Sequence, residues 1–131
     1  MSMSREQVDL PEVLDELRAV FEQYEQALVG NDVHALDRWF HDSPATLRYG
    51  LGENLYGHAE IAAFRARRDA RGMGRCIRRR SLSTFGQDFG VASIEFTRDG
   101  EPRVGRQTQT WVRFAEGWRV VAAHVSWMEP R

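Results

Sequence analysis

The 131-residue chain carries 18 basic and 19 acidic side chains, for a net charge of −1. A chain so close to neutral has no overall field that attracts nucleic acid or an anionic membrane surface, so we expect neither as a partner. Its single cysteine excludes an internal disulfide and fits a reducing compartment. Because the sequence also lacks an apolar leader and a run of membrane-spanning length, it predicts one cytoplasmic domain over residues 1–131.

The first half of the chain predicts three helices. Apolar residues recur at three- and four-residue steps over residues 10–28, which is typical of an amphipathic helix with Asp9 as N-cap and Pro11 in the first turn. A shorter helix follows Asp32 as its cap, and a third covers residues 58–69. The run "ATLRYG" before the third helix reads as a short strand, followed by a glycine-rich loop. We expect this strand to join one edge of a later sheet.

The second half of the chain predicts a meander of antiparallel strands separated by turn residues. The strand-like runs are "RSLSTFG", "FGVASIEFT", "GRQTQTWVRF" and "WRVVAAHVSW". Helices followed by such a meander predict an α+β fold.

The last two strands predict a hairpin with a three-residue loop, "AEG". This loop pairs Phe114 with Trp118, Val112 with Val120, Thr110 with Ala122, Thr108 with His124, and Arg106 with Ser126. Alternation then divides the hairpin into two faces. We assign the face with Arg106, Thr108, His124 and Ser126 to a cavity wall. The other face carries two tryptophans, which favour an interface.

Three segments together resemble the AtzH-like family of the nuclear transport factor 2-like (SnoaL-like) superfamily: "FEQYEQALVGNDVHALDRWF", "LRYGLGENLYGHAEIAAFRARR" and "GRQTQTWVRFAEGWRVVAAHVSWM". The resemblance implies a cone-shaped α+β fold, in which about three N-terminal helices close a curved, mostly antiparallel sheet. It also implies a small-molecule pocket inside the cone and a homodimer through the outer sheet face, here Gln109, Trp111, Val125 and Trp127.

The same resemblance implies an activity and two catalytic residues. The activity is a decarboxylating amidohydrolase of 1,3-dicarboxyurea, a hydrolase of C–N bonds in linear amides that works in nitrogen catabolism without metal or cofactor. The implied residues are Tyr24 in "FEQYEQAL" and Arg48 in "LRYG". An arginine fork binds a carboxylate through two hydrogen bonds, and a guanidinium beside a phenol stabilises the phenolate. We therefore expect a small anionic substrate.

Further candidates surround this pair. Arg65, on the apolar stripe of the third helix, is a second candidate carboxylate clamp. The predicted cavity wall adds four candidate substrate-binding residues: Arg106, Thr108, His124 and Ser126. His124 and Ser126 do not predict a hydrolytic triad, because their face offers no carboxylate and the sequence has no G-x-S-x-G turn. The remaining histidines lack metal-ligand spacing, so no metal site is expected.

The arginine-rich run "RARRDARGMGRCIRRR" predicts a solvated basic surface, because it has no interleaved aromatic residues for nucleic acid. Two other functions stay open on the sequence. One is a non-catalytic, dimeric protein that binds a small acid or docks a partner. The other is a proton shuttle like that of ketosteroid isomerase, which needs a pocket carboxylate; Glu53 and Glu95 are the candidates.

Overall fold

The helices and the four long strands occupy separate halves of the chain, which is typical of an α+β fold. The computed structural model describes residues 1–69 and 73–130. Its helices are α1 (Pro11–Val29), α2 (Val33–Trp39) and α3 (His58–Arg67). Its strands are β1 (Leu47–Tyr49), β2 (Asn54–Tyr56), β3 (Cys76–Phe85), β4 (Phe89–Arg98), β5 (Glu101–Phe114) and β6 (Gly117–Met128). No helix in these described ranges is long and apolar enough to cross a membrane.

The six strands form one curved sheet in the order β2-β1-β6-β5-β4-β3. β3 to β6 form the predicted antiparallel meander, while β1 pairs in parallel with β6. The predicted early strand therefore does join the later sheet. The edge itself is β2, a strand in the segment predicted to be only a glycine-rich loop, which pairs antiparallel with β1.

The apolar stripe of α1 forms the centre of the core. Leu17 and Phe21 are completely buried, and Tyr24 is 4% exposed. Full burial of one such side chain stabilises the fold by about 1.5–3 kcal/mol. The stripe covers the sheet side that carries Trp111, whose ring lies 6.0 Å from the Tyr24 ring and nearly perpendicular to it. Tyr24 is thereby placed against the inner face of the sheet.

The caps of the first two helices differ in how well the sequence predicts them. Asp32 caps α2 as expected, and its carboxylate accepts a hydrogen bond from the Ala35 amide at 3.2 Å. The prediction that Asp9 caps α1 is wrong, because Leu10 is the N-cap. The Asp9 carboxylate instead accepts hydrogen bonds from the Thr84 amide and the Ser83 hydroxyl, both at 2.8 Å. Asp9 thus fastens the start of the chain to β3.

The β5–β6 hairpin confirms part of the predicted pairing. Thr110 with Ala122, Thr108 with His124 and Arg106 with Ser126 are paired as expected. Phe114 pairs with Gly117 and Trp111 with Val120, so the predicted partners nearer the turn are wrong. The turn is one residue shorter than predicted, and the register shift between Thr110 and Trp111 adds one residue on β6. Because the shorter turn and the extra residue on β6 offset each other, the predicted partners are correct from Thr110 towards the start of β5.

The helix-facing side of this hairpin is the side predicted to form a dimer interface. Trp111 and Gln109 are fully buried there, and Val125 is only 7% exposed. An apolar helix stripe has to cover apolar strand side chains, so this side becomes the lining of the core. The predicted interface is therefore wrong in its residues: Gln109, Trp111 and Val125 are buried in the core, and Trp127 lies on the same side of the sheet, against Phe96.

The opposite side of the hairpin faces away from the helices. Arg106, Thr108 and His124 are exposed, and Ser126 is half-buried. The Thr108 hydroxyl is 3.1 Å from the Ser93 hydroxyl on the neighbouring strand. The prediction that these residues of β5 and β6 line the cavity is therefore wrong. A homodimer through the outer face stays a prediction, and these exposed side chains would form its contact.

The arginine-rich segment is not one solvated surface. Arg78, Arg79 and Arg80 are exposed on β3, as predicted. In contrast, the side chains of Arg65 and Arg75 are 3% and 1% exposed. Arg71 lies outside the described residues.

Candidate functional site

A cavity of about 100 Å³ lies between α1, the C-terminal end of α3 and the inner face of the sheet. Its lining combines apolar side chains with charged and polar ones, all on elements described above or beside them: Tyr24, Leu28, Arg48, Leu51, Glu53, Phe64, Arg68, Met73, Arg75, Arg98, Gln107 and Val125. Such a lining presents charged and hydrogen-bonding groups to the cavity from several sides.

The structure brings Tyr24 and Arg48 to the same cavity, from two different elements. Arg48 pairs with Ala123 on β6, so strand alternation points its side chain to the helix-covered face. Burial lowers the pKa of the Arg48 guanidinium, although the nearby Tyr24 and Glu53 side chains partly offset the shift. The cation is thus held in surroundings that solvate it poorly, where a bound anion would stabilise it.

Glu53 also reaches this cavity and is the acidic neighbour of Arg48. One Glu53 oxygen is 3.8 Å from Arg48 Nη1, within ion-pair range but beyond a hydrogen bond. The other accepts a hydrogen bond from the Gly52 amide at 3.3 Å. A side chain at residue 50 would overlap the Glu53 carboxylate, so Gly50 leaves the space that this carboxylate occupies.

Arg75 is the most rigidly held arginine of the cavity. Its Nε donates to the Glu25 carboxylate at 3.2 Å, and its Nη2 donates to the second Glu25 oxygen and to Gln107 Oε1. Its guanidinium carbon lies 4.5 Å from the centre of the Phe96 ring. The Glu25 side chain is only 9% exposed, so this is a buried, bidentate ion pair. Arg75 therefore forms a neutralised wall of the cavity.

Arg68 and Arg98 lack such carboxylate partners among their described hydrogen bonds. Arg68 Nε and Nη2 and Arg98 Nε are buried without a hydrogen-bond acceptor in the described part of the chain, as is Arg48 Nη1. Burial, and then the positive charges of Arg48, Arg65 and Arg98, lower the pKa of Arg68 to about 10. Burial also lowers the pKa of Arg98, with smaller contributions from Arg75 and Arg48.

Taken together, the lining of the cavity is strongly cationic. It carries four guanidinium groups, against the carboxylates of Glu53 and of Glu25 behind Arg75. Buried donors without acceptors are costly, and a ligand that supplies carboxylate oxygens removes that cost. The arrangement therefore fits a small molecule with two negative charges.

Two of the predicted candidates lie elsewhere. The Arg65 guanidinium donates to Asp37 at 2.6 Å and stacks 4.8 Å from the Phe40 ring centre. The prediction that Arg65 binds a substrate carboxylate in the cavity is wrong, because the Arg65 guanidinium is already bound to Asp37. Glu95 points to the outer face, 4.0 Å from Arg78, so it cannot serve as a pocket base.

The sequence interpretation missed four polar side chains of the cavity: Arg68, Arg75, Arg98 and Gln107. The sequence pattern could have indicated two of them. Arg68 follows Phe64 by four residues, which places both on one side of a helix. Arg98 continues the inward alternation of Ile94 and Phe96 on β4. The partners of Arg75 are 50 and 32 residues away, and no local pattern announces them.

Comparison with known proteins relates the whole chain to one family. The AtzH-like family matches residues 6–131 of the chain. A protein of unknown function from Pectobacterium atrosepticum is 51% identical; the match covers 98% of this chain and 100% of that one, with a TM-score of 0.96. A cystatin-like fold protein from Burkholderia xenovorans is 41% identical, covering 99% and 100%, with a TM-score of 0.92.

More distant structures share the fold alone. An NTF2-like protein with a cystatin-like fold from Novosphingobium aromaticivorans is 21% identical, over 93% of this chain and 86% of that chain, with a TM-score of 0.71. No curated protein matches the sequence.

Proposed function

The chain belongs to the AtzH-like family, with an NTF2-like cone fold, and from this premise we propose that it is a decarboxylating amidohydrolase of N-carboxylated ureas or similarly small, carboxylate-bearing amides. The observation that carries the proposal is the set of buried guanidinium N–H groups without acceptors around a cavity of about 100 Å³. Carboxylate oxygens of a small substrate are the acceptors that such groups bind best.

In the proposed reaction, Arg48 binds the carboxylate of the N-carboxyl group. Its free Nη1–H and its poorly solvated charge support this role. The bond between the nitrogen and the carboxyl carbon breaks, the electron pair stays on the nitrogen, and the carbon leaves as carbon dioxide. Negative charge develops on the nitrogen, and the adjacent guanidinium stabilises it in a site that excludes most water.

Tyr24 supplies the proton that the nitrogen takes up. Its hydroxyl belongs to the same cavity wall as Arg48, which supports this assignment. The phenolate that remains is stabilised by Arg48 until a proton from water restores the phenol. Carbon dioxide takes up water to give bicarbonate, so the net reaction consumes one water molecule and yields an amine group and bicarbonate.

The test compares Tyr24→Phe and Arg48→Gln with the unmodified protein on 1,3-dicarboxyurea, with bicarbonate release as the readout. We expect Tyr24→Phe to lower kcat by about 10²–10⁴-fold, the usual contribution of a general acid. We expect Arg48→Gln to lower kcat/KM by about 10²–10³-fold, because it removes a donor at the developing charge.

Matched controls carry the same substitutions outside the cavity. Tyr56→Phe alters an exposed tyrosine of the edge strand, and Arg106→Gln an exposed arginine of the outer face. Both are expected to keep the activity of the unmodified protein. Full turnover by Tyr24→Phe and Arg48→Gln would reject the mechanism.

The non-catalytic alternative predicts a different result. A protein that only holds a small acid would bind the substrate without releasing bicarbonate, and both cavity variants would affect the Kd alone. The proton-shuttle alternative has one observation in its favour, the presence of Glu53 in the cavity. That carboxylate is already engaged by the Gly52 amide and by Arg48, which leaves it less free to accept a substrate proton.

A further inference from the structure

Two cavities of the protein meet at Arg75 and Arg98. The catalytic cavity proposed above is one, and the other is a groove of about 670 Å³ at the end of the sheet where β4 turns into β5. The groove is lined by Gly74, Arg75, Cys76, Thr97, Arg98, Asp99, Gly100, Glu101 and Trp127. Arg75 and Arg98 therefore line both the groove and the cavity that contains Tyr24 and Arg48.

The two arginines at this boundary differ in what they can offer to an anion. Arg75 is bound on two sides by Glu25 and Gln107 and is almost completely buried. Arg98 is half-buried, and its Nε–H has no acceptor among the described residues. Of the pair, Arg98 is the one with hydrogen-bond donors to spare.

Aromatic rings fix the position of the Arg98 guanidinium without neutralising its charge. It lies 5.5 Å from the Phe96 ring centre and 5.8 Å from that of Trp127. Ordinary strand alternation places Phe96 and Arg98 on the same, inner side of β4. A cation held by ring faces keeps its N–H groups available for a ligand.

Arg68 adds a second cation on the cavity side of Arg98. Its Nε and Nη2 are buried without acceptors in the described chain. The positive charge of Arg98 is among those that make the charged form of Arg68 less favourable. Bringing together two guanidinium groups that repel each other costs free energy. An anion bound between them offsets that cost.

We propose that Arg98, together with Arg68, forms a second anion subsite on the groove side of the cavity and selects substrates with two carboxylates over those with one. Arg48 binds the carboxylate that reacts, and Arg98 binds the other. Arg98 is a specificity-determining residue: it strengthens binding but does not touch the bond that breaks. This assignment rests on the proposed function for the role of Arg48, but the anion subsite itself is a statement about binding.

The test measures binding of two unreactive probes by calorimetry. Glutarate carries two carboxylates separated by three carbons, the same number of atoms as in 1,3-dicarboxyurea. Glutaramate has the same shape with one carboxylate replaced by an amide. We expect Arg98→Gln to weaken glutarate binding by about 10–100-fold, the loss of one charged pair of hydrogen bonds, and glutaramate binding by about threefold or less.

Two further variants separate charge from structure. Arg98→Lys keeps the charge without the planar fork and should restore part of the glutarate affinity. Arg18→Gln is the control: Arg18 is an exposed arginine of α1 that lines neither the cavity nor the groove. It should leave the Kd for both probes unchanged. A cooperative unfolding transition in each variant would show that it has folded.

Turnover distinguishes this inference from the proposed function. With 1,3-dicarboxyurea, Arg98→Gln should raise KM by about 10-fold or more and keep kcat within about threefold. Selective loss of glutarate binding in a protein without turnover would support the subsite and reject the proposed function. Normal turnover with an unchanged KM and unchanged glutarate Kd in Arg98→Gln would reject the subsite alone. Failure of the unmodified protein to bind glutarate more tightly than glutaramate would also overturn it.

Discussion

The role of each arginine near the cavity depends on which carboxylate its guanidinium meets. Arg65 meets Asp37 at 2.6 Å and Arg75 meets Glu25, so both are bound internally. Arg48 stands 3.8 Å from Glu53, and its Nη1 has no hydrogen-bond acceptor among the described residues. Chemically identical side chains between residues 48 and 75 thus differ in whether a carboxylate already binds them closely.

The residue scale gives a prediction for Arg65. Arg65→Gln should lower the free energy of unfolding by about 2–4 kcal/mol, because it leaves the half-buried Asp37 without its charged partner and removes the contact with Phe40. Urea denaturation measures this loss. The exposed Arg18 is the control, and Arg18→Gln should cost less than about 0.5 kcal/mol.

The same variant checks the correction made to the site. If Arg65 is structural, the folded fraction of Arg65→Gln keeps the kcat of the unmodified protein. A variant that is fully stable but has lost substrate binding would return Arg65 to the cavity.

At the scale of elements, the packing of β5 against β4 positions two of the arginines that line the cavity. Gly105 on β5 pairs with Phe96 on β4, and a side chain at residue 105 would overlap the Phe96 ring. That ring in turn lies under the guanidinium groups of Arg75 and Arg98. The absence of a side chain at residue 105 therefore leaves room for the Phe96 ring, and this ring positions the guanidinium groups of Arg75 and Arg98.

Gly105→Ala should consequently affect both stability and binding. We expect a loss of about 1–3 kcal/mol in the free energy of unfolding, because Phe96 has to move in a close-packed core. We also expect weaker glutarate binding, measured by calorimetry on the folded protein. Gly52→Ala, whose added methyl group meets no atom within 4 Å, should change stability by less than about 0.5 kcal/mol. Equal stability of Gly105→Ala and Gly52→Ala would contradict this account.

For the whole molecule, the positive charges around the cavity lower the stability of the folded protein, although the chain as a whole is nearly neutral. The lowered pKa of Arg68 means that its charged form is less favourable in the folded protein than in the unfolded chain. Because this pKa of about 10 lies above neutral pH, the guanidinium is charged in both states there and the cost is fully present at pH 7. A bound anion would remove it.

Arg68→Met should therefore stabilise the ligand-free protein. Methionine keeps much of the apolar stem and removes the charge, so we expect Tm to rise by about 2–5 °C at pH 7, at the expense of anion binding. Thermal unfolding followed by circular dichroism measures the shift. Glutarate should raise the Tm of the unmodified protein and have less effect on the variant. A lower Tm for Arg68→Met without ligand would show that Arg68 has a structural role instead.

The sequence by itself determined the α+β class, the three helices, the meander and the far part of the hairpin register, because these follow from local periodicity and turn chemistry. It also placed Tyr24 inward, since a helix stripe has one apolar side. The family resemblance added Arg48, and the two residues do share a cavity.

Only the tertiary structure decided which side of the β5–β6 hairpin is inside. Strand alternation defines two faces, but both mix polar and apolar side chains, and the choice depends on where α1 lays its stripe. Tertiary contacts also assigned the arginines, because Asp37 and Glu25 lie 28 and 50 residues from the side chains they neutralise. Charge pairing across such separations is a property of the folded chain, so the cationic cavity exists only once the elements have come together.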